Sequence, residues 1–202
     1  MALAVCGGIC YSRIQAAPVL IEITGEITHL EGAGLPDTIR KGDAFTGSYC
    51  YESSTLDSNP VDEIGEYRHN APYGINIALG GYELKTLPTH DDQFVVSLVL
   101  PPYANRDYYN VISSQNISQP AGLAVKNISW IIGDSSQSAL DSANLPVGAP
   151  NLNQWDYNLF EISGENNAFK INGQVTQATL IPEPAACTLM IMAGFFLSQR
   201  KH

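Results

Sequence analysis

Apolar and polar residues alternate with period two from Val19 onward. Val19, Ile21, Ile23, Gly25 and Ile27 fall on one side, and Leu20, Glu22, Thr24, Glu26 and Thr28 on the other. Successive side chains of a strand point to opposite faces, so this stretch predicts a half-buried β-strand. Gly32-Ala33-Gly34-Leu35-Pro36-Asp37 then breaks the pattern as a loop, and Ala44 to Glu52 resumes it with Phe45, Thr46, Tyr49 and Tyr51. Ser53 to Asn70 is polar, acidic and interrupted by Pro60 and Gly65, which predicts a long loop.

Further strands are predicted at Tyr73 to Lys85, turning at Gly80-Gly81, at Gln93 to Leu100 before Pro101-Pro102, and at Tyr108 to Ser113. Leu123 to Ile132 follows with Ile128, Trp130 and Ile132 on one face, which places Trp130 in the core. A second long loop spans Gly133 to Gln154, and Tyr157 to Ile162 and Ala168 to Leu180 complete the set. Asn172-Gly173 predicts a hairpin turn because both positions tolerate positive φ. Many short strands with turn signals and no interleaved helical period argue for an all-β protein, an antiparallel β-sandwich of jelly-roll or Ig-like kind.

The two ends of the chain differ from this middle. Ala2 to Cys10 is uncharged, and Gln15-Ala16-Ala17 supplies small residues before Pro18, so residues 1–17 are expected to be a signal peptide. At the other end Pro182-Glu183-Pro184 precedes an uncharged run from Ala185 to Leu197 and then Arg200-Lys201. The two prolines hold Glu183 extended, in a form that a processing enzyme could grip. Thirteen residues of helix cover roughly 20 Å against a hydrocarbon core of about 30 Å, so the run reads as a short apolar C-terminal helix, with the basic pair kept on the cytoplasmic side.

Pro182-Glu183-Pro184, the apolar run and the basic terminus together resemble the PEP-CTERM sorting signal of exported bacterial proteins. The resemblance implies recognition by an exosortase-type membrane enzyme, transient anchoring through the C-terminal segment, and delivery to the outer surface or beyond. Gly42 to Tyr51, followed by Asp57, Pro60 and Gly65-Glu66-Tyr67, resembles a pattern in one group of these proteins, a group with no assigned biochemical activity. The expected organisation is therefore a signal peptide at 1–17, a β-domain at 18–180 and a sorting signal at 181–202.

Twenty acids against ten bases give a formal charge of −10, and loss of the two ends would remove Arg13, Arg200 and Lys201 but only Glu183. So acidic a surface repels phosphate backbones and excludes nucleic acid as an expected partner. Of the four cysteines only Cys50 lies in the middle, where it is expected to pack as a small buried hydrophobe rather than enter a disulfide framework.

Little in the chain promises catalysis. His29, His69 and His90 are isolated and are expected at exposed loop positions; none belongs to a zinc motif. Gly133-Asp134-Ser135-Ser136 is not a nucleophile elbow, and the neighbours His90-Asp91-Asp92 are poorly placed to face one another as parts of a triad.

Two binding chemistries remain. Asp57, Asn59, Asp62, Glu63 and Glu66 concentrate oxygen ligands that would suit calcium, without EF-hand spacing. Trp155, Tyr157, Tyr108 and Tyr109 supply aromatic faces near Asn and Asp for a sugar, against the alternative that they pack at the edge of the core. The expectation is a non-enzymatic surface or extracellular-matrix protein that binds exopolysaccharide. The alternatives are a secreted polysaccharide hydrolase with two opposed carboxylates, or a calcium-dependent adhesion module.

Overall fold

The computed structural model describes residues 17–88, 93–119 and 122–182. Eleven strands follow in chain order: β1 Pro18–Gly32, β2 Ala44–Glu52, β3 Ile64–His69, β4 Gly74–Leu79, β5 Tyr82–Thr86, β6 Phe94–Val99, β7 Asp107–Ser114, β8 Asn116–Gln119, β9 Val125–Asp134, β10 Tyr157–Gly164 and β11 Phe169–Ile181. No α-helix occurs among the described residues. The expected apolar C-terminal helix, His90 and nearly all of the sorting motif lie outside them.

The antiparallel all-β class is as the alternation implies, but the hydrogen bonding is continuous. All eleven strands join one sheet in the order β3-β6-β7-β9-β10-β11-β1-β2-β4-β5-β8, rather than dividing into two. The sheet curls into a half-barrel whose inner face is the core. Tyr49 on β2 and Trp130 on β9 are four places apart in the order, roughly 19 Å on a flat sheet. Their ring centroids are nonetheless 6.0 Å apart. Tyr49 also meets Tyr109 on β7 at 3.0 Å between hydroxyls.

The bend is built where β1 and β11 pair. Register shifts at Thr24/Gly25 and Ile27/His29 act as bulges that bend the ladder. On the inner face Gly25 and Gly173 carry no side chain, and the flanking Phe45 and Phe160 lean over them and stack at 4.3 Å. Phe45 and Phe160 are three strands apart, so they meet only because the two glycines leave the space.

Several sequence expectations are corrected. Residues 64–69 form β3 instead of belonging to a loop, and β8 adds a short strand that the pattern did not predict. Asn172-Gly173 is not a turn but mid-β11, paired with β10 and β1. The β10–β11 turn lies earlier, at residues 165–168, where Asn166 and Asn167 take φ of 52° and 57°. Cys50 is half-exposed on the outer face of β2, because Tyr49 and Tyr51 take the inward positions.

His69 is 3 % exposed, as the inward residue at the end of β3. It sits among the rings of Tyr51, Tyr73 and Phe94. The β9–β10 loop folds back over the sheet, and its carbonyls at Ala143 and Pro146 accept the hydroxyls of Tyr67 and Tyr51 at 2.8 Å.

Candidate functional site

Of the four aromatics singled out for sugar binding, the structure brings two together. Trp155 and Tyr109 line one cavity of about 290 Å³ beneath the β9–β10 loop, with Leu140, Pro146, Asn151 and Gln154 around it. Tyr109 enters from β7. It is 1 % exposed and therefore belongs to the core, forming part of the cavity floor rather than a surface platform.

The loop is held in place by carboxylates that lie at strand ends. Asp134, at the end of β9, accepts from the backbone N–H of Ser136, Ser138 and Ala139 and from the hydroxyls of Ser136 and Ser138. These donors favour the ionised form and hold its carboxyl down at about 2. Asp107, at the start of β7, accepts from the N–H of Leu140 at 3.1 Å. Farther along, Asn151 caps a 3-10 turn at Leu152–Gln154 through its side-chain oxygen, and Trp155 follows with its N–H donated to the Leu152 carbonyl at 3.3 Å. Trp155 is thus placed half-buried against the core.

Behind the cavity lies a chain of phenols. Tyr49 and Tyr109 share a hydrogen bond, and Tyr51 donates to the Pro146 carbonyl. Burial pushes all three phenols well above their ordinary value, so they stay protonated and act as fixed hydrogen-bonding groups.

Tyr108 and Tyr157 are placed elsewhere. They lie on the outer face and flank Gly133 in one register row. Tyr157 is 39 % exposed, with the Arg106 guanidinium 5.8 Å from its ring centre. Arg106 is also paired to Asp156 at 3.1 Å. A side chain at Gly133 would collide with Arg106 and crowd Tyr108, so the glycine lets these residues close over it.

The proposed calcium ligands are not gathered around one point. Asp57 Oδ1 accepts the N–H of Asn59 and of Glu66, Asn59 Oδ1 accepts the N–H of Val61, and Glu66 is paired with Arg68. Asp62 is exposed and Glu63 half-buried on the same loop. Among the described residues no three or more His, Cys, Asp or Glu side chains are grouped to hold a metal ion. Of the sorting-signal residues, Pro182 is exposed just after β11, and Glu183, Pro184, Arg200 and Lys201 lie outside the described residues.

Sequence reasoning missed His69. Its Nδ1 lies 3.1 Å from the Thr55 hydroxyl, and its Nε2 is buried with no partner among the described residues. Burial lowers it to about 4, against an opposing pull from Glu52. The signal was Gly65, Tyr67 and His69 at period two, concealed because none of the three is aliphatic. No family model matches the chain, and searches of curated proteins and of solved structures find no match either.

Proposed function

We propose that this chain is a non-enzymatic, exported surface or matrix protein that is sorted through its C-terminal Pro-Glu-Pro signal and binds exopolysaccharide. The observation that carries the binding half is the Trp155–Tyr109 cavity. The Trp155 indole lines it over a floor that includes the Tyr109 phenol, Asn151 and Gln154 add amides to its lining, and about 290 Å³ is enough for a single small polar ring. Aromatic faces take up the apolar side of a sugar while amides take its hydroxyls.

The sorting half rests on the resemblance at residues 181–202 and is supported by the bounds of the first and last described strands. β1 begins at Pro18 and β11 ends at Ile181, one residue before the Pro-Glu-Pro. Within this proposal the half-barrel serves as a jelly-roll or Ig-like sandwich, its two halves facing each other across the shared core.

The test uses the full chain in a bacterial host that carries an exosortase-type enzyme. Mass spectrometry of the surface fraction should find the wild-type chain shortened near residue 183, and the Glu183→Ala chain unshortened and retained in the membrane. In gels containing dextran or laminarin, Trp155→Ala should be retarded less than wild type. Identical processing of both chains removes the sorting half, and equal retardation of wild type and Trp155→Ala removes this cavity as the binding site.

A further inference from the structure

A broad concavity lies on the outer face of the sheet, away from Trp155. It measures about 900 Å³ and extends over β1, β2, β4, β5 and β8. Its shape follows from side-chain size along the register. The middle strands carry short outward residues, Thr46 and Ser48 on β2 and Ala78 on β4, while long ones rise on either side, Glu22 on β1 and Glu83 and Gln119 on β5 and β8. The result is a trough along β2 and β4, closed at one end by Tyr82 and the Gly80-Gly81 turn.

We infer that this trough is a second binding site, one that takes a neutral polysaccharide chain. Strand geometry gives it about 14 Å along β2 from Ala44 to Ser48, and about 14 Å across the three spacings from β1 to β5. It is therefore open to an extended polymer rather than to a single ring. Its chemistry is mixed donors and acceptors: hydroxyls at Thr24, Thr46 and Ser48, amides at Asn76 and Gln119, and carboxylates at Glu22 and Glu83. Sugar hydroxyls both donate and accept, so such a surface suits them at every position. Asn76 donates Nδ2 to Glu83 at 3.0 Å and keeps an Oδ1 with no partner among the described residues.

Other occupants fit less well. The backbone of β2 and β4 is engaged on both sides by ladder partners, so a peptide strand finds no edge to extend along the trough's floor, the free edge at β8 lying to its side. Two carboxylates oppose a polyanion, and Lys85 is already paired to Glu83 at 2.9 Å. Hydroxyls at Thr46 and Ser48 and the Asn76 amide interrupt the floor, where a lipid chain needs unbroken apolar surface. Glu83 is held by the Asn76 amide at 3.0 Å and by the Lys85 ammonium, which fixes it as an acceptor at the side of the trough.

This inference stands independently of the Trp155 cavity, and one experiment separates them. The full chain is run through native gels containing dextran, laminarin or alginate, beside Thr46→Arg, Ala78→Arg, Thr46→Val and Trp155→Ala. Thermal melting checks that each variant is folded. Retardation by a neutral polymer and not by alginate is expected, with both arginine variants weakening it by about tenfold or more. Thr46→Val should cost less, and Trp155→Ala should leave a residual retardation that Thr46→Arg then removes. The trough is overturned if no neutral polymer retards the chain, if alginate alone does, or if the folded arginine variants run as wild type. In the last case a loss confined to Trp155→Ala would leave the cavity as the site.

Discussion

The curvature of this sheet depends on single atoms that are missing. A Cβ at Gly25 would stand 2.3 Å from Phe45 Cζ and 2.4 Å from the Gln174 carbonyl oxygen, and the backbone atom cannot swing aside. Gly25→Ala should therefore cost about 2–3 kcal/mol, in the range for forcing volume into a packed core, read as a lower urea midpoint. In combination with Phe45→Leu the loss should be less than additive, because part of the clash is with that ring. Full additivity would mean that Phe45 is not what crowds the position.

His69 makes the second prediction at this scale. Its folded pKa of about 4 lies below the ordinary 6.5, so its contribution to stability is present above pH 6.5 and is lost as pH falls toward 4. Tyr51, Tyr73, Phe94 and Thr55 surround the ring, and Glu52 is the charged group that favours protonation. Melting temperature should drop between pH 6.5 and 4.5 in the wild type and less so in His69→Phe. Asp134 titrates lower, between its ordinary 3.8 and about 2, and leaves that window clear.

Among the elements, β3 is the one whose protection was least legible. It is an edge strand, and edges invite pairing with other chains. Here the acidic loop closes it, since Asp57 accepts the Glu66 N–H at 2.9 Å and Ser58 donates both N–H and hydroxyl to the Glu66 carbonyl. Asp57, which the sequence offers as a calcium ligand, thus caps this edge. Asp57→Ala should lower stability by about 1 kcal/mol and raise light scattering on heating, with Asp62→Ala, on the exposed part of the loop, leaving both unchanged. Equal scattering from the two variants would deny the cap its role.

Legibility along the chain follows the same division. The faces of β1, β4 and β9 were readable because Ile21, Ile77 and Trp130 lie in runs of large apolar residues at period two. β3 escaped because its inward side is Gly65, Tyr67 and His69, and Asn172-Gly173 misled because a glycine needed for close approach looks identical to one needed for a turn. The Trp155–Tyr109 cavity was half legible: the residue types were visible, but their meeting depends on a loop that folds back over forty-odd residues of intervening sequence.

For the whole molecule, the joining of halves into one sheet follows from β1 and β11, the longest strands, which pair from Leu20↔Ile181 at one end to Gly32↔Phe169 at the other. Pro18 and Ile181 consequently lie at the same end of the sheet. If the two ends are an address and the sheet is the cargo, a chain of residues 18–182 keeps all eleven described strands and should melt within a few degrees of the full chain. Removing residues 176–181 as well takes away the partners of Leu20 to Thr24 and leaves that half of β1 bonded to β2 alone. That shorter chain should lose several kcal/mol of stability, through unpaired backbone and exposed apolar surface, and elute as aggregates in size exclusion. Should the 18–182 chain fail in the same way, the sheet would depend on what flanks it, and the division into address and cargo would fall.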